Sequence, residues 1–476
     1  MFDVLIIGAG VIGANLLREL SRYQVRAAVL EKENDVGLGA TRANSAIVHA
    51  GYDPEPGTKM ARFNVQGSNM MEQLCQDLSV PYRRNGSMVI AFEPEEEEAL
   101  RRLYRQGKEN GVQGLQLLTK QQALEREPNL NPHLYAALYA PTGAIISPWE
   151  LTVALCDNAM ENGAQCITGQ TVCSIIKKPE GHFMVKTQKG EVYEARFVVN
   201  AAGVYADQIS AMAGSGGFSI HPSKGSYYVL DKSQCSLVHS TIFQCPSKAG
   251  KGVLISPTVH GNLIVGPDAQ EIQDREDTSC QQDRLSFVRR TAEKTSAKVD
   301  YRESIRNFAG IRANCDRPDF IIEQSSKVPG FFEASGIKSP GLSASPAIAL
   351  ELVRLLEGAG LPLPLKPDFQ PRRSKIHFKV LSEQEKQRLI QDNPAFGRVI
   401  CRCETVTEGE ILQALASPTC PPTLDGVKRR CNAGLGRCQG GFCGPRVCEL
   451  IAKTRGVSML QVQKDREGSY ILTREL

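Results

Sequence analysis

Four cysteines toward the C-terminal end stand in two close pairs, Cys401-x-Cys403 and Cys438-x4-Cys443. Brought together by folding, they would supply four thiolates to one soft metal centre, a zinc ion or an iron–sulfur cluster. The second pair lies in a glycine-rich stretch, residues 437–447, whose exposed amides could hydrogen-bond to cluster sulfurs. At the other end of the chain Gly8, Gly10 and Gly13 form G-x-G-x-x-G, and Glu31 follows. Glycines so spaced let the backbone approach a pyrophosphate at a helix N-terminus, and the carboxylate can accept hydrogen bonds from a ribose hydroxyl. An acid here suits an adenosine ribose without a 2′-phosphate, so FAD or NAD is expected over NADP. The alternative is a glycine-rich turn in some other α/β fold.

The elements around these residues must put them in place. Residues 3–8 form a short β-branched run, 11–20 carry helical apolar spacing and 25–33 form a second strand, so the glycines fall at the strand-to-helix turn of a βαβ unit. Residues 195–207 form a buried strand ending in Ala201-Ala202-Gly203. Residues 330–358 read as a strand, a glycine loop and an amphipathic helix. Both segments are expected to return to the first unit. Between them lie a charged helix, residues 94–106, and a hairpin pattern, residues 252–268. The fold class is therefore α/β: a Rossmann-like nucleotide domain in separated pieces, with an inserted antiparallel-sheet domain. The proline-dense residues 361–373 cannot continue a helix and read as a semi-rigid linker.

A chain of 476 residues is long enough for two or three domains, and 41% hydrophobic with 23% charged residues excludes disorder as its main state. The 56 Lys and Arg exceed the 52 Asp and Glu by only four, too few for nonspecific nucleic-acid binding. That excess lies in residues 394–476, where 12 basic residues face 8 acidic ones. Seven of the 15 cysteines lie between 401 and 448, a clustering that fits reduced thiols and a metal site and not a secreted disulfide framework. No basic leader precedes the first strand, and no apolar run reaches the ~18 residues that span a bilayer. A cytoplasmic chain is expected, with membrane contact peripheral or through a partner.

The glycine turn, the run G-L-G-A-T-R-A-N-S-A-I-V-H-A-G-Y-D at residues 37–53, the N-A-A-G at 200–203 and S-G-I-K-S-P-G-L-S-A-S-P at 335–346 together resemble the D-amino-acid-oxidase-like flavoproteins. Within that group A-N-S-x-x-x-H-x-G-Y-D is most similar to glycerol-3-phosphate dehydrogenases and oxidases and to L-2-hydroxyglutarate dehydrogenases. The resemblance implies FAD along Gly8, Gly10, Val11, Ile12, Gly13, Glu31, Lys32, Thr41, Ser45, Val172, Ala202 and Gly203, with Gly336, Pro340, Gly341, Leu342 and Ser343 near the isoalloxazine. It places His49 under the flavin ring, where an imidazole can take a hydroxyl proton as hydride leaves carbon. On the residues alone a histidine in an apolar run is more often a packed core residue. Arg312 resembles the family's substrate-anion arginine, and its fork suits phosphate or carboxylate. Lys338 and Lys251 are weaker anion candidates.

The cysteine segment resembles the bacterioferritin-associated-ferredoxin-like domain, which implies a 2Fe-2S cluster on Cys401, Cys403, Cys438 and Cys443; a four-cysteine zinc site is the alternative. Cys420, Cys431 and Cys448 lie outside this pattern. Lys428, Arg429, Arg430, Arg437 and Arg446 either offset cluster charge, present a docking face to an acidic partner, or are simply solvated. The resemblances imply an oxidoreductase domain at residues 1–365, with FAD segments at about 1–80, 140–215 and 320–365 and a substrate domain at about 80–140 and 215–320. A linker at 366–395 and a cluster domain at 396–476 complete the division. The expected activity is oxidation of a small anionic hydroxy substrate. That is sn-glycerol 3-phosphate first, L-2-hydroxyglutarate second, and an amino acid or secondary amine third. Electrons would leave through FAD and the cluster to a second flavoprotein subunit or a quinone-linked acceptor. A non-catalytic electron-transfer module is the reading from another class.

Overall fold

The computed structural model describes residues 1–246 and 252–474, so Lys251 lies outside the described residues. Strand Phe2–Ile7 runs parallel to Ala27–Leu30 on one side and to Val192–Asn200 on the other. Phe331–Ser335 extends the parallel set through Val198 to Asn200, and Gln165–Ile167 closes the opposite edge beside Ala27–Leu30. The central strand reads as a continuous apolar run because Val4, Leu5 and Ile6 are buried between layers on both faces. Helix Val11–Leu20 packs on one face with Pro148–Glu161 and Gly341–Gly358. The separated segments do return to the first unit, and the eight-stranded sheet has the expected Rossmann-like arrangement. The second strand is shorter than its sequence pattern, Ala27–Leu30 in place of 25–33.

A nine-stranded sheet carries most of the intervening residues, beside a three-stranded sheet of Ile47–Val48, Ala144–Ile146 and Tyr82–Arg83. Its spine is the pairing of Ile220–Leu230 with Ser304–Cys315, and the expected hairpin is present as Leu254–Pro257 against Leu263–Gly266. One pairing departs from the expected antiparallel pattern: Thr241–Gln244 runs parallel to Ser87–Ala91.

After helix Gly341–Gly358 the proline-rich stretch is not a free spacer. Asn158 and Asn162 donate to the Gln370 carbonyl, and Arg18 donates to that of Pro371. Arg373 pairs with Asp157 at 2.7 Å and Lys375 with Glu150 at 2.7 Å. Proline removes backbone donors but leaves carbonyls, and these are what the helix side chains capture. Residues 366–395, expected as a linker, also contain helix Glu383–Asp392. The C-terminal unit then packs Glu408–Ala416, Leu424–Cys431 and Gly444–Arg455 around Ile411, Val427 and Ile451, with a short ladder between Val399–Cys401 and Val406–Thr407. Among the described residues no helix is long and apolar enough to cross a membrane.

Candidate functional site

The glycine turn is fitted to its neighbours at atomic contact. Gly8 has φ +102°, and a Cβ there would lie 2.6 Å from the Ala201 carbonyl oxygen; one on Gly13 would lie 2.0 Å from that of Gly8. This puts Ala201 and Ala202 directly against the turn, with Gly203 next in the chain, and no other residue type could let the chain close so tightly. Glu31 is buried, with Oε2 accepting from the Ala9 amide at 2.8 Å and Oε1 from that of Glu33 at 3.0 Å. Burial pushes its carboxyl above the usual range, against those two amides. Thr41 Oγ1 accepts from the Val11 amide at 3.0 Å, and Ile12 packs against the core from the same turn. The Gln170 amide donates to the Glu31 carbonyl at 2.7 Å, so the approach to buried Val172 runs beside the acid. Lys32 is engaged elsewhere: its ammonium pairs with Glu276 and lies 4.4 Å from the Tyr205 ring centroid.

The second group assembles around His49. Its amide donates to Ser343 Oγ at 2.8 Å, and its Nε2 shares a 3.3 Å hydrogen bond with Ser339 Oγ. The Phe243 ring stands 5.8 Å from the imidazole, and Gly51, Tyr52, Asp53, Pro54 and Pro340 complete a small recess. The loop over it, residues 336–341, turns at Gly336 with φ +65° and is braced by the Gly341 amide donating to the Lys338 carbonyl at 2.7 Å. Helix Lys59–Asp77 packs at Gly67 on the helix that follows this loop, where a Cβ would lie 2.2 Å from the Ser343 carbonyl oxygen. Leu342 is partly buried on the core side of the same turn.

Arg312 comes from the nine-stranded sheet. Phe308, Gly310 and Arg312 share one strand face, and the paired strand adds Tyr227 and Gly225 to it. Gly310 abuts Ala43, Tyr227 hydrogen-bonds Ser45 at 3.1 Å, and the Arg312 guanidinium lies over Gly225 while donating to the Asp268 carbonyl at 3.1 Å. This sheet face thus closes on the loop that runs from Ala43 to His49. Tyr227, Gly225 and Gly310 went unsingled in the sequence, because cross-strand register is not written in a local motif.

The four cysteines meet as two pairs. Cys401 and Cys443 share a thiol hydrogen bond, as do Cys403 and Cys438. The Cys443 thiol, with the amides of Gly434 and Glu404, holds Cys401 down at about 6 against its burial. The Phe442 amide, followed by that of Gly440, lowers Cys438. Among the described residues no three His, Cys, Asp or Glu side chains converge on one point. Two thiol pairs with donated amides suit a soft four-thiolate centre, an iron–sulfur cluster or a zinc ion. Cys420, Cys431 and Cys448 instead donate to backbone carbonyls within the core.

The basic run beside this centre is not a surface. Arg429 and Arg430 are buried, and both reach Asp35, whose exposure is 0%. Arg429 Nε donates to it at 2.7 Å, and Arg430 Nη1 and Nη2 at 2.9 and 2.8 Å. Arg429 also holds Asp465 at 2.9 Å, Asn34 donates to the Asp465 carbonyl at 2.6 Å, and Arg466 pairs with Glu33 at 3.0 Å. Residues just past the ribose-type acid are therefore gripped by the cysteine unit. Trp149, stacked on His260, lies at the same seam beside Glu150, which His260 Nε2 and Lys375 reach at 2.8 and 2.7 Å.

A Rossmann-like dinucleotide fold, with a second sheet's face closing on the loop that carries the histidine, defines an FAD-dependent oxidoreductase. Residues 3–355 match the FAD dependent oxidoreductase family, and the chain belongs to it. Residues 399–453 match the BFD-like 2Fe-2S binding domain, so the protein takes FAD and a 2Fe-2S cluster. It is 48% identical over 474 residues to the glycerol 3-phosphate dehydrogenase of Caloramator mitchellensis, covering 99% of this chain and 98% of that protein. It is 29% identical over 283 residues to human mitochondrial L-2-hydroxyglutarate dehydrogenase, covering 56% of this chain and 61% of that one. The dithionite-reduced, FAD-bound L-alpha-glycerophosphate oxidase of Mycoplasma pneumoniae superposes with a TM-score of 0.76 at 30% identity, over 79% of this chain and 99% of that one.

Proposed function

We propose that this protein oxidises sn-glycerol 3-phosphate to dihydroxyacetone phosphate and passes the electrons to a separate acceptor protein. The observation that carries the reading is the 48% identity to a glycerol 3-phosphate dehydrogenase along 99% of this chain, cysteine unit included. Bound FAD supplies a hydride acceptor, and the cluster supplies one-electron steps. The chain's own residues do the rest. Gly8, Gly10 and Gly13 would admit the pyrophosphate, Glu31 would accept from the adenosine ribose, and residues 336–343 would hold the ring. Arg312 takes the substrate phosphate with its fork, held in aim by the Asp268 carbonyl. His49, fixed by Ser343 at its amide and Ser339 at Nε2, takes the hydroxyl proton. Lys338 is a second cation at the loop's edge, and Cys401, Cys403, Cys438 and Cys443 hold the cluster. The reading places the protein in the cytoplasm, with membrane contact only through its partner.

The test is anaerobic bleaching of flavin absorbance, with glycerol 3-phosphate, L-2-hydroxyglutarate and proline titrated in parallel. Fast bleaching by glycerol 3-phosphate alone is expected. Bleaching by L-2-hydroxyglutarate or proline in its place would reassign the substrate.

A further inference from the structure

We propose that the solvent face of the cysteine site, centred on Phe442 and rimmed by Arg402 and Arg446, docks an acidic one-electron carrier protein. This rests on the function proposed above, which requires electrons to leave the chain. The two thiol pairs are unequal in depth: Cys401 and Cys443 are 1% and 2% exposed and face the core of their unit, whereas Cys403 and Cys438 lie toward solvent. The exit is therefore on the Cys403 and Cys438 side. Phe442, between Cys438 and Cys443, is 87% exposed, more than any other large apolar side chain among the described residues. Its own amide is one of those that donate to the Cys438 sulfur, so this ring sits within one residue of the centre. Gly441 beside it is exposed and adds no bulk, which lets a partner's backbone approach.

The charges around Phe442 are set for an acidic partner. Arg402, between Cys401 and Cys403, and Arg446, in the first turn of the following helix, are exposed. Glu404 is buried under Lys232 and Glu449 pairs with Arg446, so among the described residues Arg402 carries the unpaired charge of the rim and Arg446 adds donors beside it. Arg429 and Arg430, the obvious cations in the sequence, are turned inward to Asp35 and cannot contribute. An apolar centre within a cationic rim is the anatomy of an interface that steers an acidic protein and seats it by one aromatic anchor. Each substrate oxidation releases two electrons and two protons. A one-electron carrier thus docks twice per turnover and leaves reduced by one electron each time, the protons passing to solvent.

The experiment uses the full-length protein with FAD and cluster in place, reduced by dithionite and mixed at low ionic strength with oxidised plastocyanin, an acidic blue-copper carrier, or with cytochrome c, a basic one. Plastocyanin should be reduced at least tenfold faster, with a rate that falls as salt rises. Phe442→Ser and the double variant Arg402→Glu/Arg446→Glu should each slow it at least tenfold, while the cluster's visible spectrum and flavin bleaching by substrate stay as in the parent. Equal rates with the two carriers, or variants that leave the plastocyanin rate unchanged, would overturn the proposal. So would co-sedimentation with phosphatidylglycerol vesicles that Phe442→Ser abolishes, which would make this a membrane face. Because dithionite supplies the electrons, a wrong substrate assignment leaves this result readable.

Discussion

At the residue scale the proposed chemistry rests on two side chains, His49 and Arg312, aimed by groups that do none themselves. Arg312 reaches its position because Gly225 leaves the space over the neighbouring strand: a Cβ there would lie 2.4 Å from Arg312 Nη2 and 2.9 Å from the Asp268 carbonyl oxygen. Lysine keeps the charge but loses the fork, so Arg312→Lys should raise KM for glycerol 3-phosphate roughly 10- to 100-fold, the worth of about 1.5–3 kcal/mol in charged hydrogen bonds, with a smaller change in kcat. Gly225→Ala should push KM the same way without touching substrate, since the guanidinium must move. Steady-state assays with a dye acceptor check both. If Gly225→Ala leaves KM unchanged while Arg312→Lys raises it, the aim of the guanidinium is set elsewhere. His49 and Arg312 were legible from motif resemblance. Gly225, Gly310 and Tyr227 were not, because their role exists only across a strand pairing that joins residues about ninety positions apart.

At the scale of elements, the contact between helix Leu424–Cys431 and the segment after Glu31 shows where sequence reading reaches its limit. A Lys-Arg-Arg run is ordinarily solvated, and the acid that turns it inward, Asp35, lies nearly four hundred residues earlier. The prolines at residues 361–373 were legible as a helix stop, but the asparagine and arginine side chains that capture the Gln370 and Pro371 carbonyls were not. Asp35→Asn removes the one carboxylate that both buried guanidinium groups reach, so it should cost about 3–5 kcal/mol of stability. Denaturant unfolding, with limited proteolysis across residues 361–395, measures it. A loss under about 1 kcal/mol would mean that Asp465 alone satisfies the arginines. The pH dependence has a definite sign. Burial pushes Asp35 up, but the charges of Arg430 and Arg429 outweigh it and hold its carboxyl below the usual range. Glu150, buried beside Lys375 and His260, is held well below it too. Carboxyls depressed in the folded state stabilise it above their unfolded pKa of about 4, and that contribution disappears as pH falls through the lower folded values. The seam should therefore hold from neutral pH to about 4 and loosen below it.

For the whole molecule, the seam ties the fate of the flavin to the unit that holds the cluster, because Arg429, Arg430 and Arg466 grip residues 33–35 just beyond Glu31. The Rossmann-like fold and both cofactors were legible from motif spacing and resemblance, since glycine turns and cysteine pairs are local. Their mechanical coupling was not, since it is made of ion pairs between distant segments. The two cysteine pairs separate cluster loss from loss of this grip. Cys403→Ser/Cys438→Ser acts at the solvent side, so the cluster's absorbance should vanish while FAD remains bound and substrate still bleaches it. Cys401→Ser/Cys443→Ser places hydroxyls in the core formed with Val406, Ile411 and Val447, where a buried polar group without a good partner costs about 1–3 kcal/mol each. That second variant should lose the cluster and also loosen the C-terminal unit, releasing its hold on residues 33–35. FAD should then dissociate several-fold faster on dilution, and protease should cut residues 361–395 sooner. Equal FAD retention in the two variants would show that the flavin segments hold their cofactor without the grip of the cysteine unit.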